Sequence, residues 1–336
     1  MSKALKVIGK ILLGLVLFVI VLLYALRIVD GVLFGQFYSK AEAAFFAPAI
    51  NDGFVHQGFD YDEENNTFLV AGYMTDKSAS RVYILDEKGN VERYVSLKKA
   101  NGKPYTGHTG GVEHYGDYMY ITGSKGLDVF SYAEVKNGAS EVTLLGTVLT
   151  YNDPAHCYIS NGHILVGSFH DCGAYLSESY EQIDLPDGSG KNNSTAIVFA
   201  LNESFTDTWS VDPTPKAVVS TGNNVQGMCV TADGRVVLST SFGATPSKLL
   251  VYDTTHLPTV ENYNFAGTFN NQTFSFNVKL LYLENSSLIQ TITAPAMSEE
   301  LVYRNGKMYI MCESASNKYL FGKFTNGIFI HAYKIG

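Results

Sequence analysis

Two patterns of apolar and polar positions divide the chain. From Ile11 to Leu26 sixteen residues carry no charge, with Lys3, Lys6 and Lys10 before them and Arg27 and Asp30 after. Counting Val7, Ile8, Ile28 and Val29, with Lys10 and Arg27 reaching outward, the run approaches the roughly 20 residues a bilayer demands. Past residue 50 the pattern changes to short apolar runs broken by turns that carry Gly or Asn. Runs of that length, rich in branched and aromatic residues, predict strands.

Five stretches share one order: polar lead, apolar strand, turn, second strand, polar loop, third strand. The first reads QGFDYDEENNTFLVAGY from Gln57, then RVYILD from Arg81. The second reads HTGGVEHYGDYMYITGS from His108, then LDVFSY from Leu127, and the third PAHCYISNGHILVGSF from Pro154, then TAIVFAL from Thr195. The fourth reads QGMCVTADGRVVLSTS from Gln226, then KLLVYD from Lys248, and the fifth SEELVYRNGKMYIMCES from Ser298, then KYLFGKF from Lys318. In four copies the turn glycine (Gly116, Gly162, Gly234, Gly306) falls eight residues after the leading residue. Fourth strands are expected at 90–97, 141–149, 288–294 and 328–335.

Repeats of 40 to 50 residues with three or four strands each predict blades of a β-propeller. Blades are covered on both faces by their neighbours, which accounts for near-continuous apolar runs such as HILVGSF. The expectation is an all-β, five-bladed propeller preceded by an N-terminal transmembrane helix. The leading residues are spaced by 51, 46, 72 and 72, so a sixth blade hidden in the third or fourth copy is the alternative. The organisation expected is a cytoplasmic tail and membrane anchor over 1–30, a linker over 31–50 and the propeller over 51–336.

Composition agrees: Tyr and Phe number 22 and 20, Gly 31 and Trp one, in a chain 46% hydrophobic and 17% charged. The net charge of −8 argues against a nucleic-acid partner, because phosphate backbones call for a basic face. Removing 1–30 takes away four basic residues and one acidic one, leaving −11, so the acidic domain should stay clear of anionic lipid. The basic residues ahead of the apolar run place the N-terminus in the cytoplasm and the propeller outside it, through a single pass. A cleaved signal peptide is the alternative, although Ala41–Ala43 lies far beyond the apolar run. No Cys precedes Cys157, which excludes a lipobox. Cys157 and Cys172 sit where a disulfide across a hairpin or two unpaired thiols both fit.

In a propeller the start of each inner strand and the end of the second meet at one face. Gln57, His108, His156, Gln226, Glu299 and Glu300 converge there from the leads, and Tyr73, Lys125, His170, Ser241 and Glu313 from the returns. Gln57, Tyr73, His108, His156, Gln226, Ser241 and Glu300 are the expected ligand-binding set. Glu299, Glu300 and Glu313 with His108 and His156 are the catalytic candidates, Asp60 or Asp153 completing a glycosidase-like pair. His108, His156 and His170 with Glu300 offer the nitrogen and oxygen ligands that a divalent metal such as Ca or Zn accepts, although no local spacing marks a site, and His114 and His163, in or near turns, are expected to face solvent. The Gly-rich stretch at 106–111 leads into a strand and lacks the helix dipole that holds phosphate.

The HQGF and QGMC leads and the SEELVYRNGKMY stretch resemble blade starts of plant-type glutaminyl cyclases, five-bladed and extracytoplasmic. That resemblance implies Glu299 or Glu300 as the family's acid, while the single Trp209 departs from its aromatic pocket. The function expected is a membrane-anchored, extracytoplasmic propeller binding a small polar or cationic ligand at the channel mouth. A cyclase-like or hydrolytic enzyme and a scaffold that binds a surface-exposed protein through the blade rim are the alternatives.

Overall fold

A computed structural model of the chain describes residues 3–335, apart from the side chain of Leu320. Five sheets stand around one axis, each with its first strand innermost. Blade one runs Phe54–Asp62, Thr67–Met74, Arg81–Asp86 and Val91–Lys98, and blade two Val112–Tyr115, Tyr118–Gly123, Gly126–Ser131 and Gly146–Leu149. Blade three runs Pro154–Ser160, His163–Ser168, Ser194–Ala200 and Ala217–Thr221, and blade four Val225–Val230, Val236–Thr240, Ser247–Tyr252 and Leu288–Ala294. Blade five, Ser298–Arg304, Lys307–Cys312 and Phe329–Lys334, takes its outer strand from the N-terminal side, Ala41–Phe46. Asn161-Gly162 and Asn305-Gly306, all at positive φ, close two hairpins in the two-residue turn whose twist matches paired strands. The apolar core fills the gaps between blades; Leu69, Val82 and Val95 of blade one pack on Val112, Ile121 and Phe130 of blade two.

The long third and fourth copies hide no sixth blade. The insertion in the third holds one turn of 3₁₀ helix, Ser179–Glu181, and the short pair Ile183–Asp184 and Lys191–Asn192. The insertion in the fourth is a hairpin, Thr259–Phe269 with Gln272–Tyr282, that lies in parallel along Ala217–Thr221 and widens blade three to six strands. The stretch 141–149 is two strands rather than one, because Glu141–Thr143 crosses over to pair with Ser96–Lys98 of blade one. The stretch 328–335 is the third strand of its blade, and 318–324 forms 3₁₀ turns instead of that strand. Within 31–50, read as linker, Ala41–Phe46 is part of a blade.

One helix, Lys3–Leu33, is long and apolar enough to cross a membrane. Its far end is fastened to the propeller. Asp30 is buried and accepts from Tyr38 Oη at 2.9 Å and Asn326 Nδ2 at 3.2 Å, and Arg27 donates to Asn326 Oδ1 at 2.5 Å. Phe34 and Phe37 enter the core between blades four and five, with the Phe37 ring stacked 5.4 Å from Tyr333.

Hairpin registers define equivalent positions on the inner strands. Asp62↔Thr67, Tyr115↔Tyr118, Ser160↔His163 and Arg304↔Lys307 close four hairpins; three residues back stand Phe59, Val112, Cys157 and Leu301. The position just before these is Gly58, Gly111, His156 and Glu300. Gly227 joins them, since Val225↔Thr240 and Gly227↔Ser239 repeat the bulged register Pro154↔Ser168 and His156↔Gly167. The glycines are there because the blades touch: a Cβ on Gly58 would lie 2.6 Å from Val112 N, and one on Gly227 2.4 Å from Glu300 Cα. In blade two the turn places Gly116 first rather than second, so aligning on that glycine shifts the copy by one. Gly110, not His108, is the counterpart of Gln57, and the ring expected from His108, His156 and Glu300 with Gln57 and Gln226 is staggered.

Gly227→Ala drives a methyl group into the backbone of blade five. It is expected to cost at least about 1–3 kcal/mol, the usual price of overpacking, in denaturant unfolding. Gly222→Ala, with nothing nearer than Asn192 Oδ1 at 4.0 Å, is expected to cost much less.

Candidate functional site at the channel mouth

The inner strand of a blade has an unpaired edge, and five such edges meet at the axis with their amides bare. Glu300 answers three of them. Its Oε2 accepts from Phe59 N at 2.7 Å and Val112 N at 3.1 Å, and its Oε1 from Cys157 N at 3.0 Å, at the equivalent positions of blades one, two and three. The side chain is fully buried. Burial pushes the carboxyl well above the ordinary glutamate value, and the three amide bonds work against that push.

Glu299, one residue earlier, faces the mouth. It is 3% exposed, and no hydrogen-bond donor among the described residues meets its carboxylate. Burial raises its pKa well above the usual range, the charges of Glu313 and Glu300 add to this, and Lys318 opposes it. Glu313 opens a 3₁₀ turn at the end of the second strand of blade five, its N–H bonded to Met297 O at 2.8 Å. Its Oε1 accepts from Tyr319 Oη at 3.0 Å and Tyr73 Oη at 3.4 Å, with Lys318 Nζ 3.9 Å away. Burial raises this carboxyl too, against Lys318 and hydrogen bonds from Tyr319, Tyr73 and Gln57. Lys318 Nζ donates to Tyr73 Oη at 2.5 Å and lies 5.1 Å and 4.8 Å from the ring centroids of Tyr73 and Tyr319. His108, exposed at the rim, tilts over Tyr73 at 5.1 Å. An open concavity of about 540 Å³ lined by Tyr73, Met74, Thr75, Lys77, Thr106, His108 and Lys318 lies on the solvent side.

The structure thus brings Gln57, Tyr73, His108, Glu299 and Glu313 together. His156 is instead buried with its ring over Gly167, a Cβ there falling 2.0 Å from Nε2, and burial lowers its pKa to about 4. His170 is buried with Nδ1 accepting from Ser177 N at 3.1 Å, and Ser241 is buried under a hydroxyl bond from Ser247 at 3.0 Å. Gln226 is half-buried, and Lys125 and Asp153 are exposed. His108, His156, His170 and Glu300 do not gather into a metal site; among the described residues no group of three or more His, Cys, Asp or Glu is placed to hold an ion. The four cysteines are free, with Cys157 buried near the axis and Cys172 on an exposed loop, so the disulfide does not form.

Two features depart from the expected pattern. Lys318 and Tyr319, expected in a strand, turn back over the mouth instead. His114, read as solvent-facing, turns inward on the opposite face, its Nδ1 2.5 Å from Asp60 Oδ2, while Tyr132 Oη donates to Asp62 at 2.6 Å. Glu113 beside them is buried and pushed well above its ordinary value by burial and by the charges of Asp60 and Glu300.

No protein-family model and no curated protein matches the chain. Solved structures do. The PQQ domain of pyranose dehydrogenase from Coprinopsis cinerea is similar with TM-score 0.42 and 12% identity, over 81% of this chain and 75% of that one. PQQ-bound aldose sugar dehydrogenase from Streptomyces coelicolor is similar with TM-score 0.41 and 13% identity, over 81% and 78%. BamB from Moraxella catarrhalis is similar with TM-score 0.32 and 10% identity, over 84% and 85%. Identities this low concern architecture alone. They show no resemblance to glutaminyl cyclases, and the five-bladed propeller arrangement is what the structure itself shows.

Glu300→Gln leaves one oxygen where two served three amides, so a carboxamide NH₂ meets an N–H. It is expected to lower stability by about 1–3 kcal/mol, the cost of a buried unsatisfied donor, read as a drop in melting temperature. Glu299 behaves differently. A carboxyl raised in the folded state holds its proton more tightly than the unfolded chain does. Its contribution is therefore full below the ordinary glutamate range and is lost as pH rises through the folded value. Unfolding of the wild type from pH 4 to 9 is expected to show stability declining with pH, and Glu299→Gln a flatter decline.

Proposed function

We propose that the channel mouth binds a small ligand carrying an alkylammonium group, on a propeller held outside the cytoplasm by its N-terminal helix. The observation that carries this reading is a charge mismatch. A buried carboxyl, Glu299, and a half-buried one, Glu313, share one cation, Lys318, and no hydrogen-bond donor among the described residues meets Glu299. A second positive charge would relieve the repulsion that raises both carboxyls. Tyr73 and Tyr319 supply the ring faces that favour an ammonium over a neutral polar group. Lys3, Lys6 and Lys10 ahead of the apolar helix support the orientation. A second reading rests on Glu299 alone: an acid kept protonated beside an open concavity is suited to donate a proton, as a hydrolase or cyclase requires.

Calorimetry with 1,4-diaminobutane tests the first reading. Affinity is expected to rise with pH above the ordinary glutamate range as the raised carboxyls ionise. Glu313→Gln, which keeps the shape and removes one charge, is expected to weaken binding about tenfold, in the range of a lost charge-assisted contact. Equal affinity for 1,4-butanediol would refute the reading.

A further inference from the structure

Lys318 lies where such a ligand would place its charge. Its ammonium is held by Tyr73 Oη at 2.5 Å and by Glu313 at 3.9 Å, between the ring faces of Tyr73 and Tyr319. Two aromatic faces and a carboxylate around one ammonium form the arrangement that recognises alkylammonium groups in trans. Here the occupant arrives in cis, on the segment between Glu313 and Phe329. That segment holds short-range turns, including Ser316 N to Glu313 O at 3.0 Å and Tyr319 N to Ser316 O at 3.1 Å. It is fastened to the loop before blade one by Asn317 Nδ2 to Asn51 O at 3.2 Å and Lys323 Nζ to Asn51 Oδ1 at 2.7 Å, so the mobile part is the Lys318 side chain itself. Lys318 also keeps 40% of its side chain exposed, so it can leave without uncovering a core.

We infer that Lys318 is an internal ligand: it occupies the ammonium position of the mouth, and a primary alkylammonium from outside, such as a diamine or a lysine side chain, binds by displacing it. This rests on the alkylammonium reading of the mouth and adds its regulation. Glu299 explains why displacement is favourable. A diamine can place its first charge at Glu313 and its second toward Glu299, where the single ammonium of Lys318 serves one carboxylate at a time. The wild type should therefore bind more weakly than the bare site allows, because each binding event first expels the resident cation.

The test compares full-length wild type, Lys318→Met and Lys318→Arg in detergent, titrated with 1,4-diaminobutane. Met keeps the aliphatic stem without the charge, and Arg keeps the charge. The expected result is at least tenfold tighter binding by Lys318→Met, with Lys318→Arg close to the wild type. Equal affinities in all three would overturn the internal ligand and leave the alkylammonium site standing. No binding to any of them, with the melting transitions retained, would overturn both.

Discussion

One carboxylate joins most of the molecule at its centre. A ring of β-sheets leaves five strand edges facing one another along the axis, and bare amides there are costly away from water. Glu300, carried by the last blade, takes one amide from each of the first three. Blade four meets the same residue by contact, through the absence of a side chain at Gly227. The glycines at 58, 111 and 227 follow from this, because the carboxylate reaches the amides only if the blades close up around it.

That centre also shapes the mouth. With Glu300 engaged below, Glu299 has no amide left to answer it, and its carboxylate turns to the field of Glu313 and Lys318. Two neighbouring acids on one strand thus do different things: one is a structural hub, and the other's carboxyl meets no hydrogen-bond donor among the described residues. The difference comes from one position of register along the strand.

The repeats were legible because a hairpin is local; alternation, turn glycines and strand lengths lie within some twenty residues of one another. Five blades follow from that alone. What escaped depends on partners far away in the chain. Ala41–Phe46 is a short strand that pairs only with the end of the sequence, and the hairpin of Thr259–Tyr282 serves a blade other than the one that encodes it. The adjacent acids at 299 and 300 marked the site, yet only the three amides tell the hub from the ligand-facing residue. Nothing in the composition around Lys318 signals that it folds back over the mouth, and His114 looked exposed because its partners, Asp60 and Asp62, belong to the neighbouring blade.

The closing strand sets an order of events. Ala41–Phe46 follows directly on the apolar helix and is among the first parts of the domain to emerge, yet its partner Phe329–Lys334 comes about 290 residues later, at the far extreme of sequence separation. Until Phe329–Lys334 has been made, that strand has its edge open. Ring closure is therefore the last step of assembly, and a chain cut short anywhere before residue 329 leaves an unclosed circle tethered by its own unmatched strand.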